Sequence, residues 1–281
     1  MKTYLELMRA GNCAMAAFAG LIGVLIAYNI LSSASPYVSL SLFDTSLIFA
    51  IVFLVTGAGN GLNDYFDIEI DKVNKPSRPI PSGKISLKSA LYFSLFLFIT
   101  GITLAFLVNP LCGIIALFNS MVLILYAQSL KRTPFFGNAS VGYLTGSTFL
   151  FGGAVFGMAG LQALVVLFLL ATLATIAREI VKDVEDIVGD KKDGARTLPI
   201  LIGAKKASYI AAAFGFTAML ASPVPYLQSI LNEQYLFVVA IADIFFLIAV
   251  YQILGKKDAA RSSKLFKFAM LFALISFIVG A

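Results

Sequence analysis

Nine apolar windows alternate with polar breaks along the chain, at about 13–32, 45–62, 88–108, 111–130, 138–158, 161–181, 206–222, 235–254 and 265–281. A hydrocarbon core roughly 30 Å thick needs about 20 apolar residues in a helix, so the pattern predicts an all-α, polytopic membrane protein with nine transmembrane helices. Pro223 and Pro225 close the seventh window early. Asn109-Pro110 is enough to turn the chain between the third and fourth, because proline cannot continue the preceding helix. Two connections are long and polar, about 63–87 and 182–205. Long charged loops in a compact membrane protein point to function.

Composition agrees: 59% of the 281 residues are hydrophobic and 13% charged, with a mean hydropathy of +0.91, whereas soluble domains run near 45–50% and 25%. Charge placement sets an orientation. All 21 Lys and Arg residues lie before the first window or near junctions 2–3, 4–5, 6–7 and 8–9. The positive-inside rule then predicts a cytoplasmic N-terminus, an outside C-terminus and both long loops in the cytoplasm. An eight-span chain would put positive junctions on both sides. The net charge of +6 follows from this rim and from attraction to anionic membrane lipids, so it implies no nucleic acid.

Lys2 and Arg9 ahead of an apolar run have the look of a signal peptide. The run is too long for an h-region, however, and Asn12 stands near its start, so a retained first helix is expected. Cys13 and Cys112 fall inside windows without metal-ligand spacing and are expected in the core. The chain has no histidine, which excludes imidazole bases and His-ligated metals.

Ten of the 15 acids lie in segments 64–71 and 179–193. Asp64, Asp67 and Asp71 share the three-and-four spacing of Asp183, Asp186 and Asp190, 119 residues later. On a continuous helix each trio falls within a sector of roughly 60°. A mid-membrane charge costs about 2.5–3.5 kcal/mol, so these acids belong at span ends, near water or neutralised by cations. Arg78-Pro79-Ile80-Pro81 and Arg196-Thr197-Leu198-Pro199 follow the two trios, each with a glycine and lysine beyond, so a helix–acid–loop–helix unit is used twice. Asp243, alone in the eighth window, is expected to hydrogen-bond locally.

Aspartates on successive turns suit Mg²⁺, which takes oxygen ligands and is held by a few carboxylates plus substrate phosphate. Two such faces could hold ions bridged by a diphosphate, with Lys72, Lys75, Arg78, Arg178 and Lys182 completing the neutralisation. Bound that way, diphosphate is a good leaving group, and an allylic substrate would ionise to a carbocation. The cation must meet its acceptor before water does, which asks for a dry chamber. The 25 Phe and 11 Tyr residues could line it, although aromatics are ordinary membrane filler. In the fifth window, Gly142/Gly146 and Gly153/Gly157 are small-xxx-small pairs that favour close helix packing; a thin wall where a prenyl chain enters is the other reading. A transporter of divalent cations or organic anions would also want repeats and acids, but nearer the midplane.

The run Asn63-Asp64-Tyr65-Phe66-Asp67-Ile68-Glu69-Ile70-Asp71, with Arg78-Pro79-Ile80-Pro81-Ser82-Gly83 downstream, resembles the UbiA superfamily of intramembrane prenyltransferases. The second motif of that family, DxxxD, matches Asp186 and Asp190. The resemblance covers essentially the whole chain and implies one prenyltransferase domain over 1–281, of two loosely repeated halves, with nine helices bundled around a central cavity. It implies that Asp64, Asp67, Asp71, Asp183, Asp186 and Asp190 hold Mg²⁺ or position the diphosphate, assisted by Asn63. Lys131 sits where the family often carries a basic residue, preceded by Tyr126. Arg9 and Asn12 become candidate contacts to an acceptor phosphate.

Residues 178–199 are similar to the archaeal digeranylgeranylglyceryl phosphate synthases. Those move a geranylgeranyl group from its diphosphate to the hydroxyl of geranylgeranylglyceryl phosphate, making the second ether bond of archaeal lipids. The implied partners are a prenyl diphosphate and a lipid-like acceptor in the cell membrane, with no protein partner. An aromatic, quinone-precursor or chlorophyllide acceptor is the alternative within the family, since chlorophyll synthases share a very similar first motif.

Overall fold

The computed structural model describes residues 2–192 and 194–281; Asp193, counted in the second acid cluster, lies outside them. The described residues form helices joined by turns: α1 (Lys2–Met8), α2 (Ala10–Ala34), α3 (Leu42–Phe66), α4 (Ile68–Asn74), α5 (Leu87–Val108), α6 (Pro110–Gln128), α7 (Phe136–Ala154), α8 (Gly157–Ala163), α9 (Val165–Glu185), α10 (Ile187–Lys192), α11 (Leu198–Ile202), α12 (Ala204–Ala221), α13 (Val224–Leu227), α14 (Glu233–Tyr251) and α15 (Ala259–Gly280). Among the described residues, seven helical segments are long and apolar enough to cross a membrane, and eight if the α8–α9 pair, bent by 48°, is one span. This is a multi-pass membrane protein. Helix α7, over most of the predicted fifth window, is 19 residues long but rich in Gly, Ser and Thr, and it does not count among the seven.

Local chemistry sets the helix ends. The Ser41, Ser86 and Asn109 side chains accept from the backbone N–H groups of Asp44, Ser89 and Cys112, capping α3, α5 and α6. Asn109 also donates to the Ala154 and Val155 carbonyls at 2.9 and 3.3 Å. The expected Asn109-Pro110 turn is therefore also an anchor, with Pro110 at the first helical position.

The chain divides into two compact units, each carrying one acidic motif. The first comprises the residues up to Ser129 with Thr148–Gln162. Within it α3 packs against α1, α2, α5 and α6, around a core that includes Ile51, Ala58, Leu62, Phe98 and Phe151. The second comprises Leu130–Ser147 and Ala163–Ala281. There α9 packs on α12 and α15, and α14 on α15, around Ile180, Ala211, Phe246 and Phe266.

Glycines allow two close approaches. A Cβ on Gly142 would lie 2.6 Å from Ile176 Cγ1, and one on Gly146 would lie 2.5 Å from the Phe168 carbonyl, so α7 rests directly on α9. The expected Gly142/Gly146 packing pair is present. The Gly153/Gly157 pair is not: Gly157 opens α8 at φ +70° with open space around its Cβ position. Gly152 makes the approach instead, against the Gly20 carbonyl of α2.

Candidate active site

The first acidic motif does not lie on one continuous helix. Helix α3 ends at Phe66, Asp67 adopts φ −91° and ψ 8°, and α4 starts at Ile68. Asp186 does the same between α9 and α10, with φ −91° and ψ 5°. The expectation of a continuous helix is corrected at the same place in both motifs. A short aspartate in the bridge region competes with helical geometry, while i→i−4 bonds persist on either side. Asp67 N donates to Asn63 O at 3.0 Å and Asp71 N to Asp67 O at 2.8 Å; Asp186 N donates to Lys182 O at 2.9 Å and Asp190 N to Asp186 O at 3.0 Å. The repeat seen in the residues is thus a repeat of backbone shape.

Asp64 and Asp71 are 2% and 3% exposed, and two guanidiniums meet them. Arg9 Nη2 lies 2.5 Å from Asp64 Oδ1; Arg78 Nη1 lies 3.0 Å from the same oxygen and 2.5 Å from Asp71 Oδ2. Two carboxylates and two guanidiniums cancel formally. Without that pairing, burying both acids would cost several kcal/mol each, on the order of 10 kcal/mol together. Arg78 can reach because its loop is folded: Ile80 and Ile85 are buried with Leu7 and Ala90, and Ile85 N donates to Pro79 O at 3.1 Å. The Asn63 amide donates to Asp67 Oδ2 at 3.0 Å. Lys75 is exposed after α4, and Lys72 pairs with Glu69 at the surface, at 2.7 Å. Asn12 is exposed on the first turn of α2, and Tyr126 is half-buried near the end of α6.

In the second unit, α9 presents Arg178, Glu179, Lys182 and Asp183 in its last turns. The Asn138 amide of α7 donates to Asp183 Oδ2 at 2.7 Å, and Arg178 pairs with Glu179. Lys182 and Asp186 are exposed, whereas Asp190 is half-buried on α10. Lys131 is half-buried in a 3₁₀ turn, Leu130–Arg132. Arg132 O accepts from Arg196 N at 3.0 Å, which ties the second long loop to that turn. Asp243 behaves as expected, accepting from Ser222 Oγ at 2.7 Å.

A family model, the UbiA prenyltransferase family, matches residues 16–275. The chain belongs to this family. A digeranylgeranylglyceryl phosphate synthase of Methanosarcina barkeri is 60% identical over 100% of this chain and 98% of its own length. A solved structure described as a digeranylgeranylglyceryl phosphate synthase in membranes is 45% identical, with a TM-score of 0.85 over 99% of this chain and 97% of that one. A UbiA homolog from Archaeoglobus fulgidus, solved with GPP and Mg²⁺, shares the fold at 16% identity, with a TM-score of 0.69 over 96% of this chain and 99% of that one.

For a UbiA chain, the donor chemistry of the motifs suits a hard cation. The candidate donors are all carboxylate oxygens, and the two buried acids, Asp64 and Asp71, already hold positive charge against them. Among the described residues no three acids stand as a ready-made cage. Sequence reasoning did not find Asn138. A lone carboxamide in a glycine-rich apolar window carries no periodic signal; its only clue is that a buried amide needs a partner.

Proposed function

We propose that this chain transfers a geranylgeranyl group from geranylgeranyl diphosphate to the free hydroxyl of geranylgeranylglyceryl phosphate, releasing diphosphate. The 60% full-length identity to the Methanosarcina barkeri relative carries this reading, and the matched acidic motifs support it. The chain acts as one membrane domain, 1–281, with nine spans around a central cavity. Its N-terminus and both acidic loops face the cytoplasm, as the placement of all 21 basic residues favours.

Asp64, Asp67 and Asp71 from one motif, with Asp183, Asp186 and Asp190 from the other, would hold Mg²⁺. When bound, Mg²⁺ stabilises charge on the departing diphosphate oxygens. Asn63 fixes Asp67, and Asn138 fixes Asp183. Lys75, Lys131, Arg178 and Lys182 supply positive charge for the diphosphate, joined by Arg78 as far as its carboxylates release it. Arg9, Asn12 and Tyr126 face the acceptor. The prenyl C1–O bond breaks with its electrons going to diphosphate, the acceptor hydroxyl oxygen bonds to C1, and its proton leaves. With no histidine in the chain, a carboxylate, the released diphosphate or the acceptor's own phosphate takes that proton.

Purified protein incubated with geranylgeranyl diphosphate, Mg²⁺ and a panel of acceptors should yield the mass of a diether phosphate, and EDTA should stop its formation. Product mass only on a quinone precursor or chlorophyllide would replace the acceptor; turnover in metal-free buffer would remove the metal. Asn138→Ala frees Asp183 from its one amide donor. Such supporting partners are worth about 10–100-fold in metal affinity. A Mg²⁺ titration of turnover should therefore shift its midpoint upward by about tenfold or more.

A further inference from the structure

The first unit contains an elbow that lies outside the acidic motif. Between α1 and α2, Arg9 sits in the left-handed region at φ 55° and ψ 58°, a conformation that side chains with a Cβ rarely adopt. The turn moves the hydrogen bonds forward by one residue: Asn12 N and Cys13 N both donate to Arg9 O, at 2.8 and 3.2 Å. In a continuous helix Asn12 N would have served the Met8 carbonyl. That carbonyl belongs to a residue 4% exposed, where water is no substitute. It is satisfied from the side instead. Asn60 Nδ2 donates to Met8 O at 2.8 Å and the Cys13 thiol donates to it at 3.0 Å.

Asn60 stands one helical turn before Asp64 on α3, so one face of that helix grips the elbow at two points. Asn60 holds the backbone before Arg9, and Asp64 holds the Arg9 guanidinium at 2.5 Å. Glycine at 57 opens the seat, since a Cβ there would fall 2.5 Å from Met8 Cε. We infer that Asn60 is a positioning residue: by holding the Met8 carbonyl it locks Arg9 in the left-handed elbow and aims its guanidinium at the Asp64 end of the site. This rests on the prenyl-transfer reading only for its kinetic consequence; the elbow itself does not.

The test is a double-mutant cycle with purified full-length protein: wild type, Asn60→Ala, Arg9→Ala and the double variant, with Asn60→Leu as a near-isosteric second case. Melting is followed in each. Asn60→Ala and Asn60→Leu should lower kcat/KM about tenfold, the size of a lost buried hydrogen bond. In the Arg9→Ala background the same changes should cost no more than about twofold, because the residue they act through is gone. Equal losses in both backgrounds would overturn the inference, as would kcat/KM within about twofold of wild type in a folded Asn60 variant. A readout free of turnover separates this from the proposed reaction. A nitroxide at Glu6→Cys, exposed on α1, in a Cys13→Ser/Cys112→Ser background that keeps a donor at position 13, should be immobile with Asn60 present and mobile in Asn60→Ala. Absent turnover in wild type would sink the reaction while the label still decides the elbow; an equally immobile label in Asn60→Ala would sink the elbow role alone.

Discussion

Asp186→Ala leaves the chain folded and lowers prenyl transfer by at least about 100-fold, the scale of removing one preorganised stabiliser of a developing charge. The two halves of that expectation have separate causes. Asp186 is exposed at the break between α9 and α10, so its loss removes little that holds the fold. A surface position of this kind changes stability by about 0.5 kcal/mol or less. Its counterpart by position, Asp67, has the same backbone angles to within a few degrees. The backbone shape matches although the surroundings of the two residues differ. Asp64→Ala is the contrast: it leaves Arg9 without its carboxylate and Arg78 with only Asp71, and should lose stability and turnover together. Melting curves beside kcat and KM separate the cases. An Asp186→Ala enzyme with wild-type turnover would detach the second motif from catalysis.

The helices were legible where the physics is one-dimensional. The window expected at 88–108 is Leu87–Val108 and the one at 111–130 is Pro110–Gln128, because a run of apolar residues, a capping asparagine and a proline state their own boundaries. The fifth window was harder. Gly142 and Gly146 announced close packing, yet the same glycines dilute the apolar signal of α7, so length alone supports a crossing there. The site divides in the same way. The acidic spacing was visible as a repeat, but spacing assumes a helix and could not reveal that Asp67 and Asp186 each break one. Nor could it show that the polar loop after Asp71 is held down by two apolar residues, Ile80 and Ile85. Arg9 stood out as a candidate acceptor contact, but nothing about an arginine signals a left-handed backbone. Asn60 and Asn138 were silent because a single carboxamide has no period; their meaning lies wholly in which distant atom they reach.

Arg78→Ala should produce the largest stability loss of any single change in the first motif, and Mg²⁺ should restore part of it. One nitrogen of Arg78 bridges Asp64 and Asp71, at 3.0 and 2.5 Å. Its removal leaves two buried carboxylates facing one guanidinium, that of Arg9. Breaking a buried pair from one side costs about 3–5 kcal/mol, and the low end applies because the Arg78 side chain is 20% exposed. Arg78→Lys should recover only part of the loss: an ammonium is a compact point charge without the fixed fork of a guanidinium. A divalent cation carries the missing charge and suits carboxylate oxygens. Because a ligand that binds only the folded state stabilises it by mass action, millimolar Mg²⁺ should raise the melting temperature of Arg78→Ala more than that of wild type. Ca²⁺ in place of Mg²⁺ tests charge against size, and an equal concentration of a monovalent salt tests simple screening. If Arg78→Ala melts with wild type and ignores Mg²⁺, the guanidinium is not standing where a metal ion can stand.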